Sequence, residues 1–268
     1  MAEGDLISAA RRPATVSSLA AELAAADIAA GDTVIVHTSL KGVGWIAGGP
    51  QALIAAILSA IGTEGTLVMP SFSAHLTDPA FWAAPPVPAD WVPVIEAEMP
   101  AFDPARTPTR DMGATAELFR TWPGVLRSNH PTNSFAAFGP KAADILGDQQ
   151  LEHPMAAGSP LEKLYEFGAT TLLLGIGFLR FTMLHLAEAR AWPRCPREAQ
   201  ASPVMEEGKR VWKRYTVEHA GETGHFVPLG QSLVEDGIAR EFAFGAGEGI
   251  AIPCREAVDR AVERWRKE

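Results

Sequence analysis

The chain has 268 residues, 47% of them hydrophobic, and carries 23 Lys and Arg against 32 Asp and Glu for a formal charge of −9. That is enough apolar material for one large core, and the acidity argues against nucleic acid while suiting a cationic partner. No run approaches the roughly 18 apolar residues of a membrane span, "MAEGDLISAARRP" lacks the apolar stretch of a signal peptide, and Cys195 and Cys254 fit no metal spacing, so a reduced, cytoplasmic protein is expected.

The first helix signal is "TVSSLAAELAAADIAAGD", capped by hydroxyls and closing near Gly31. "DTVIVH", residues 32 to 37, reads as a short apolar strand. A glycine-rich loop, "TSLKGVGWIAGG", leads into the helix "PQALIAAILSAIG", with Pro50 at its first position, where the missing N–H costs nothing. "GTLVMP" is the next strand. Strand, loop, helix and strand together predict a βαβ-type unit in an α/β layer fold.

Residues 70 to 111 break the pattern, with nine prolines and no sustained periodicity. A loop this long in a compact domain is functional or disordered. Phe81, Trp82, Trp91 and Phe102 favour an ordered one, because disordered segments are poor in aromatics. The loop also holds six acids against two bases, Arg106 and Arg110. An acidic, aromatic-edged rim suits a polycation, which makes Asp78, Glu98 and Asp103 candidate acceptor contacts.

Beyond it, "GATAELFRTW" predicts a helix, "SFAAFG" a strand, "PLEKLYEFG" a helix and "ATTLLLG" a core strand. Residues 181 to 191 follow as a helix. "VWKRYTVEH", "IAREFAFG" and "GIAIP" read as strands, and "CREAVDRAVERWRK" as a closing amphipathic helix. No internal repeat or linker divides the chain, so residues 1 to 268 are expected to form a single domain. The proline-rich segment at about 70–111 elaborates it on the substrate side.

Three stretches could carry chemistry. In "VHTSLKGVGWIAGG", Thr38 and Ser39 follow a strand and precede Gly42, Gly44, Gly48 and Gly49. Glycines let a backbone approach a phosphate, and α/β sheets favour ligands at such a place. The pattern is neither a Walker A motif nor GxGxxG, and an ordinary strand-to-helix turn would also fit it. In "FRTWPGVLRSNHPTNSFAAFG", Arg120, Arg127, Ser128, His130 and Ser134 offer arginine forks and hydroxyls to a phosphate, or form a solvated loop. In "FTMLHLAEARAW", Thr182, His185 and Glu188 stand three residues apart, so on a helix they share one arc with the imidazole in the middle. A carboxylate behind an imidazole fixes its tautomer and raises its basicity, and a hydroxyl in the first turn can hold an oxyanion. That set would serve acyl transfer to an amine. A surface histidine paired to a glutamate gives the same spacing. His75, His153, His219 and His225 lack such company and read as packed or surface histidines; His37, inside the glycine-loop motif, is the exception.

Taken together and in this order, "VHTSLKGVGWIAGG", "GTLVMPSFS", "FDPARTPTRDMG", "FRTWPGVLRSNHPTNSFAAFG", "GSPLEKLYEFGATTLLLGIG" and "FTMLHLAE" resemble the aminoglycoside 3-N-acetyltransferase family. The resemblance runs from about residue 15 to 260. It implies a layered α/β/α fold distinct from the common small acetyltransferase fold, with acetyl-CoA as donor and the 3-amino group of an aminoglycoside as acceptor. No metal is implied, and the protein would be a monomer or homodimer without membrane or nucleic-acid partners. It implies His185 as general base and Glu188 as its orienter, while the helix arc itself offers Thr182 as the oxyanion donor. The resemblance puts coenzyme contacts on Thr38, Ser39, Leu40, Ser128, His130 and Ser134, and His37, Gly44, Ser71, Phe72 and Arg120 are expected beside them. Asp78, Glu98 and Asp103 would meet the acceptor, with Glu188 adding to the negative field. The sequence departs from the family at Phe181, where many members have Asn, and matches it poorly at 75–110 and 192–207, which puts the acceptor in doubt. Three rivals remain: a metal-dependent hydrolase using His185 and Glu188 with a further ligand such as His130 or His153, a non-catalytic binder of CoA or a cation, and the same chemistry on another amine.

Overall fold

The computed structural model describes residues 3–147, 149–194, 196–218 and 223–267. Cys195 and His219 lie outside the described residues. Nine strands occur among them: β1 (Thr33–Thr38), β2 (Thr66–Pro70), β3 (Leu126–Arg127), β4 (Phe135–Phe138), β5 (Thr170–Leu174), β6 (Arg197–Glu206), β7 (Lys209–Glu218), β8 (Arg240–Phe244) and β9 (Gly247–Pro253). The helices are α1 (Glu3–Ala9), α2 (Val16–Ala25), α3 (Leu40–Val43), α4 (Gly49–Ile61), α5 (Val92–Glu98), α6 (Gly113–Phe119), α7 (Ala142–Leu146), α8 (Pro160–Glu166), α9 (Leu184–Ala191), α10 (Phe226–Glu235) and α11 (Cys254–Trp265).

Seven strands form one mixed sheet in the order β3-β4-β2-β1-β5-β9-β8. β1 runs parallel to β2 and β5, while β4 and β9 run antiparallel on either side of that trio. The βαβ-type unit expected from the sequence is β1-α4-β2. Helices cover both faces. Leu172 and Leu174 of β5 point into the core under α2, α4 and α6, and Leu173 between them points into the core under α7 to α11. A strand buried on both faces needs apolar residues at successive positions, which is why "TLLLG" shows a run rather than an alternation. The fold is the expected layered α/β/α arrangement.

The three parallel strands end on the same edge, and the chain leaving each one builds the site: Ser39–Lys41 after β1, Ser71 and Phe72 after β2, and residues 175–183 after β5. Close approach of backbones holds this edge together. A Cβ on Gly42 would sit 1.9 Å from the Gly175 carbonyl oxygen, and one on Gly247 would sit 1.9 Å from the Gly42 oxygen. The glycines of the "TSLKGVG" loop therefore serve contacts within the chain. That corrects their reading as a phosphate cradle.

The proline-rich segment is ordered by anchors rather than by regular structure. The Arg127 guanidinium donates to the carbonyls of Ser71 (2.6 Å) and Thr107 (2.5 Å) and lies over the Phe102 ring at 5.1 Å. Arg210 Nε donates to the Met99 carbonyl at 2.6 Å, and Phe102 N to Pro203 at 2.9 Å. The last two contacts tie the segment to a second, two-stranded sheet, β6-β7. β7 follows "VWKRYTVEH", but β6 and α10 carried no recognised signal. Among the described residues no helix is long and apolar enough to cross a membrane.

Candidate active site

Two cavities open at the carboxyl edge of the parallel strands, the position where α/β sheets take ligands. The first, of about 490 Å³, lies between α9, the β6-β7 hairpin and loops at Thr132–Asn133 and Pro154–Ala156. The second, of about 310 Å³, lies between the β1 end, Thr38–Lys41, Asp111–Ala116 and Arg180.

His185 and Glu188 sit on α9 and line the first cavity. His185 Nδ1 lies 2.6 Å from Glu188 Oε2, and both side chains are only 15% exposed. A carboxylate only accepts, so Nδ1 carries the hydrogen of this contact, which leaves Nε2 as the lone-pair nitrogen whenever the ring is neutral. The arrangement can serve as a base with its orienter. The other Glu188 oxygen, Oε1, lies 2.9 Å from Nε2 of His225, which also lines the cavity. His225 is thus no ordinary packed or surface histidine. No local motif marked it, because the contact joins residues far apart in sequence. Among the described residues no group of three or more metal-ligating side chains converges on one point.

The third member of the arc falls elsewhere. α9 begins at Leu184, preceded by the short 3-10 turn Phe178–Arg180, and Thr182 is 8% exposed and lines neither cavity. Phe181 is fully buried in the core.

Of the expected coenzyme contacts, His37, Thr38, Ser39 and Leu40 line the second cavity, joined by Lys41 and Arg180. The His37 imidazole is held neutral, pushed down to about 3 by burial first and then by the neighbouring Arg180 and His185 side chains. Its Nε2 is buried and has no hydrogen-bond partner among the described residues. Pro70 lines the second cavity and Phe72, two residues on, lines the first, so the two neighbour each other where β2 ends. Gly44 packs against Ala246 instead. Phe72 lines the first cavity, and the Ser71 carbonyl is consumed by Arg127 and Ser134.

The "RSNHP" motif lines neither cavity. Ser128 Oγ donates to Gln149 (2.7 Å) and accepts from Phe135 N (2.9 Å), and Ser134 Oγ donates to the Ser71 carbonyl at 2.8 Å. His130 is 0% exposed, and its Nδ1 accepts from the backbone N–H groups of Thr132 (3.2 Å) and Asn133 (3.0 Å). Burial holds it neutral, at about 4. Their polar atoms are spent on backbone groups and the Gln149 side chain, so this motif shapes the wall at Thr132 and Asn133. Arg120 is likewise engaged: its guanidinium pairs with Glu117 and donates to the Ala105 carbonyl at 3.0 Å.

The three loop acids do not reach the first cavity. Asp78 and Asp103 each precede a proline and accept from the N–H two residues on, Ala80 (2.9 Å) and Ala105 (2.9 Å). This is the local turn that Asp-Pro favours, and it occupies the carboxylates. Glu98 stands exposed on α5. The acids that do line the cavity are Glu188, Glu198 and Glu218. Glu198 and Glu218 come from the hairpin, in a region where only one strand was anticipated. Trp192, one turn beyond Glu188, completes that wall.

The family model described as Aminoglycoside 3-N-acetyltransferase matches residues 35–266. The prophage-derived aminoglycoside N(3')-acetyltransferase-like protein YokD of Bacillus subtilis is 41% identical over 94% of this chain and 92% of its own length. Its crystal structure superposes with a TM-score of 0.95 over 99% of this chain and 98% of that one, at 38% identity. Aminoglycoside N(3)-acetyltransferase IX of Micromonospora chalcea is 33% identical over 92% of each chain. The AAC-IIIb binary complex with CoASH has a TM-score of 0.86 at 30% identity, covering 96% of this chain and 97% of that one. AAC-VIa with bound sisomicin has a TM-score of 0.85 at 28% identity, covering 96% and 99%.

Proposed function

Because the chain belongs to the aminoglycoside 3-N-acetyltransferase family, we propose that it transfers an acetyl group from acetyl-CoA to the 3-amino group of an aminoglycoside by direct attack. One observation carries this reading. A His185–Glu188 pair, 2.6 Å apart, faces a large cavity with three carboxylates, and a second cavity with hydroxyls and cations adjoins it.

The second cavity fits the coenzyme chemically. Thr38 and Ser39 offer hydroxyl donors, and Lys41 and Arg180 offer positive charge. In the first cavity the substrate arrives as an ammonium ion. His185 Nε2 takes one of its protons, and Glu188 stabilises the imidazolium. The freed amine bonds to the thioester carbon, the carbon–sulfur bond breaks, and the remaining excess nitrogen proton neutralises the departing thiolate. Glu198 and Glu218 hold the other ammonium groups of the acceptor.

The first cavity also has an apolar wall of Phe72, Met155, Trp192 and Val217. That favours, as a second reading, the same chemistry on an amine with an apolar face. A free-thiol assay with acetyl-CoA against aminoglycosides and simple amines separates the two by kcat/KM. Replacing His185 with Ala lowers kcat by roughly 10²- to 10⁴-fold without weakening acetyl-CoA binding. Near-normal turnover in that variant, or no thiol release with any amine, contradicts the proposal.

A further inference from the structure

Glu218 closes the open end of the β6-β7 hairpin, where it pairs across the strands with Arg197. Opposite charges at paired positions attract, and Arg197 Nη1 lies 3.1 Å from Glu218 Oε1. The same oxygen accepts from Nδ1 of His153, on the loop between α7 and α8. Oε2 accepts from no described residue. The loop is tied on both sides of the histidine. Arg197 Nη2 donates to the Glu152 carbonyl at 3.0 Å, and Gln149 Nε2 to the Pro154 carbonyl at 2.8 Å. Pro154, Met155 and Ala156 then wall the first cavity, as does Glu218 itself. The His153 side chain is 40% exposed, so solvent protons reach it.

We propose that His153 is a specificity-determining residue for the acceptor: its charge decides how much of the Glu218 carboxylate is left for an ammonium group in the first cavity. This rests on the reading of that cavity as the acceptor site. With a neutral imidazole, Arg197 and Glu218 balance each other, and Oε2 can take an ammonium. With a protonated imidazole the three groups are net positive, and two cations already share the carboxylate before the substrate arrives. Histidine is the side chain whose charge changes between pH 5 and 8. A polycation therefore binds more tightly as His153 loses its proton, and its binding in turn drives that proton off, because such coupling is reciprocal. One extra positive charge beside a partly exposed ammonium changes affinity roughly 3- to 10-fold. An acceptor whose one amine sits at His185 escapes the effect.

The other charges around His153 are identifiable. Its own loop adds Glu152, whose field also reaches His130 and Lys213. The hairpin adds Arg197 and Glu218, with Lys213 further along β7 paired to Glu206. Glu198 on β6 lines the same cavity, as do His185 and Glu188 of α9 and His225. On the α8 side, Glu162 accepts from Gly158 N and pairs with Arg190. All of these are common to wild type and to variants at His153, so differences among those proteins report the histidine.

The test is calorimetric titration of the full chain with sisomicin as the polycationic probe, without acetyl-CoA, at about pH 8 and about pH 5.5. The proteins are wild type, His153→Asn and His153→Arg. Asparagine keeps an N–H donor near the Nδ1 position but cannot be charged, and arginine is charged at both pH values. The amines of the probe titrate equally in all three, so only differences between proteins count. From pH 8 to pH 5.5, wild type loses roughly 3- to 10-fold more affinity than His153→Asn, and His153→Arg is weaker than His153→Asn by that factor at both. Repeating the titrations in buffers of different ionisation heat shows wild type releasing more protons on binding than either variant. Where one variant does not fold, the other decides, since each is locked in one charge state. Parallel pH dependence in wild type and both variants overturns the proposal, as does an equal loss of affinity in Asn and Arg, which would mark a structural role alone. Sisomicin that binds none of the proteins overturns the acceptor reading and this proposal with it. Sisomicin that binds all of them alike overturns this proposal and leaves that reading standing.

Discussion

Gly42→Ala tests whether backbone contact at the strand ends builds the coenzyme side of the site. An added Cβ would lie 1.9 Å from the Gly175 carbonyl oxygen, 2.6 Å from its carbon and 2.8 Å from its Cα. All three are backbone atoms, so no side chain can turn aside. Gly175 cannot retreat easily, because it is held at φ +65° and its N–H donates to Glu248 at 2.8 Å. Overpacking of this kind costs about 1–3 kcal/mol. Stiffening the unfolded chain by Gly→Ala returns about 0.4–1 kcal/mol, leaving a net loss of about 1–2 kcal/mol. For a domain of this size that lowers Tm by roughly 2–8 °C. The relief the molecule can find is to push Ser39–Lys41 away from the β5 end, and those residues line the second cavity. KM for acetyl-CoA should then rise roughly tenfold, equivalent to about 1.4 kcal/mol, with kcat little changed. Scanning fluorimetry and saturation kinetics measure both. Gly177→Ala is the control, since nothing lies within 4 Å of its added Cβ. A Gly42→Ala protein that melts within 1 °C of wild type, with an unchanged KM, would refute the reasoning.

Two further outcomes follow from the buried and lining charges. His130 binds its proton only near pH 4 when folded but near 6.5 when unfolded; the unfolded chain takes up more protons between those values, so stability present above pH 6.5 is lost as pH falls toward 4. The loss from this group is about 2 kcal/mol between pH 7 and 5 and about 3 kcal/mol by pH 4, with His37 acting in the same direction; denaturant melts at pH 7, 6 and 5 measure the first part, and midpoints flat across that range would contradict the burial argument. Neutralising the cavity wall by Glu198→Gln should raise KM for a polycationic acceptor and flatten its salt dependence beyond about 0.15 M, whereas Glu98→Gln on exposed α5 should do neither; equal behaviour of the two variants would place the cation elsewhere.

Much of the sheet was legible because its residues answer to one rule. Strands buried on both faces show unbroken apolar runs, as in "TLLLG" and "TLVMP", and helices packed on one side show amphipathic spacing, as in α11. The His185–Glu188 pair was equally legible, since both partners lie on one helix within one turn. What was not legible depends on distant partners. β6 reads "REAQASPVME", with no alternation, and it is a strand because β7 pairs with it along ten residues, from Arg197↔Glu218 to Glu206↔Lys209. Glu198 reaches the cavity only through that pairing, and His225 only through the packing at the start of α10 against Trp192 and Trp265. Asp78 and Asp103 misled in the opposite way. Their charge suggested a cation, but the proline after each signals a turn that uses the carboxylate locally.

The glycine loop shows why residue type alone underdetermines a site. Glycine permits a backbone to come close, and the sequence does not say to what. In "HTSLKGVG" the division falls within the motif. His37, Thr38, Ser39, Leu40 and Lys41 face the second cavity, while Gly42 and Gly44 face Gly175, Gly247 and Ala246 of the same chain. The two halves depend on each other, because the loop can present hydroxyls and a lysine at the strand ends only if its next residues lie flat against β5 and β9. Gly175 belongs to both ends of that logic: it terminates the strand whose continuation carries His185, and its carbonyl carbon and oxygen are what Gly42 rests on. The spacing between the two cavities is therefore set at a contact between two glycines, neither of which needs to touch a ligand.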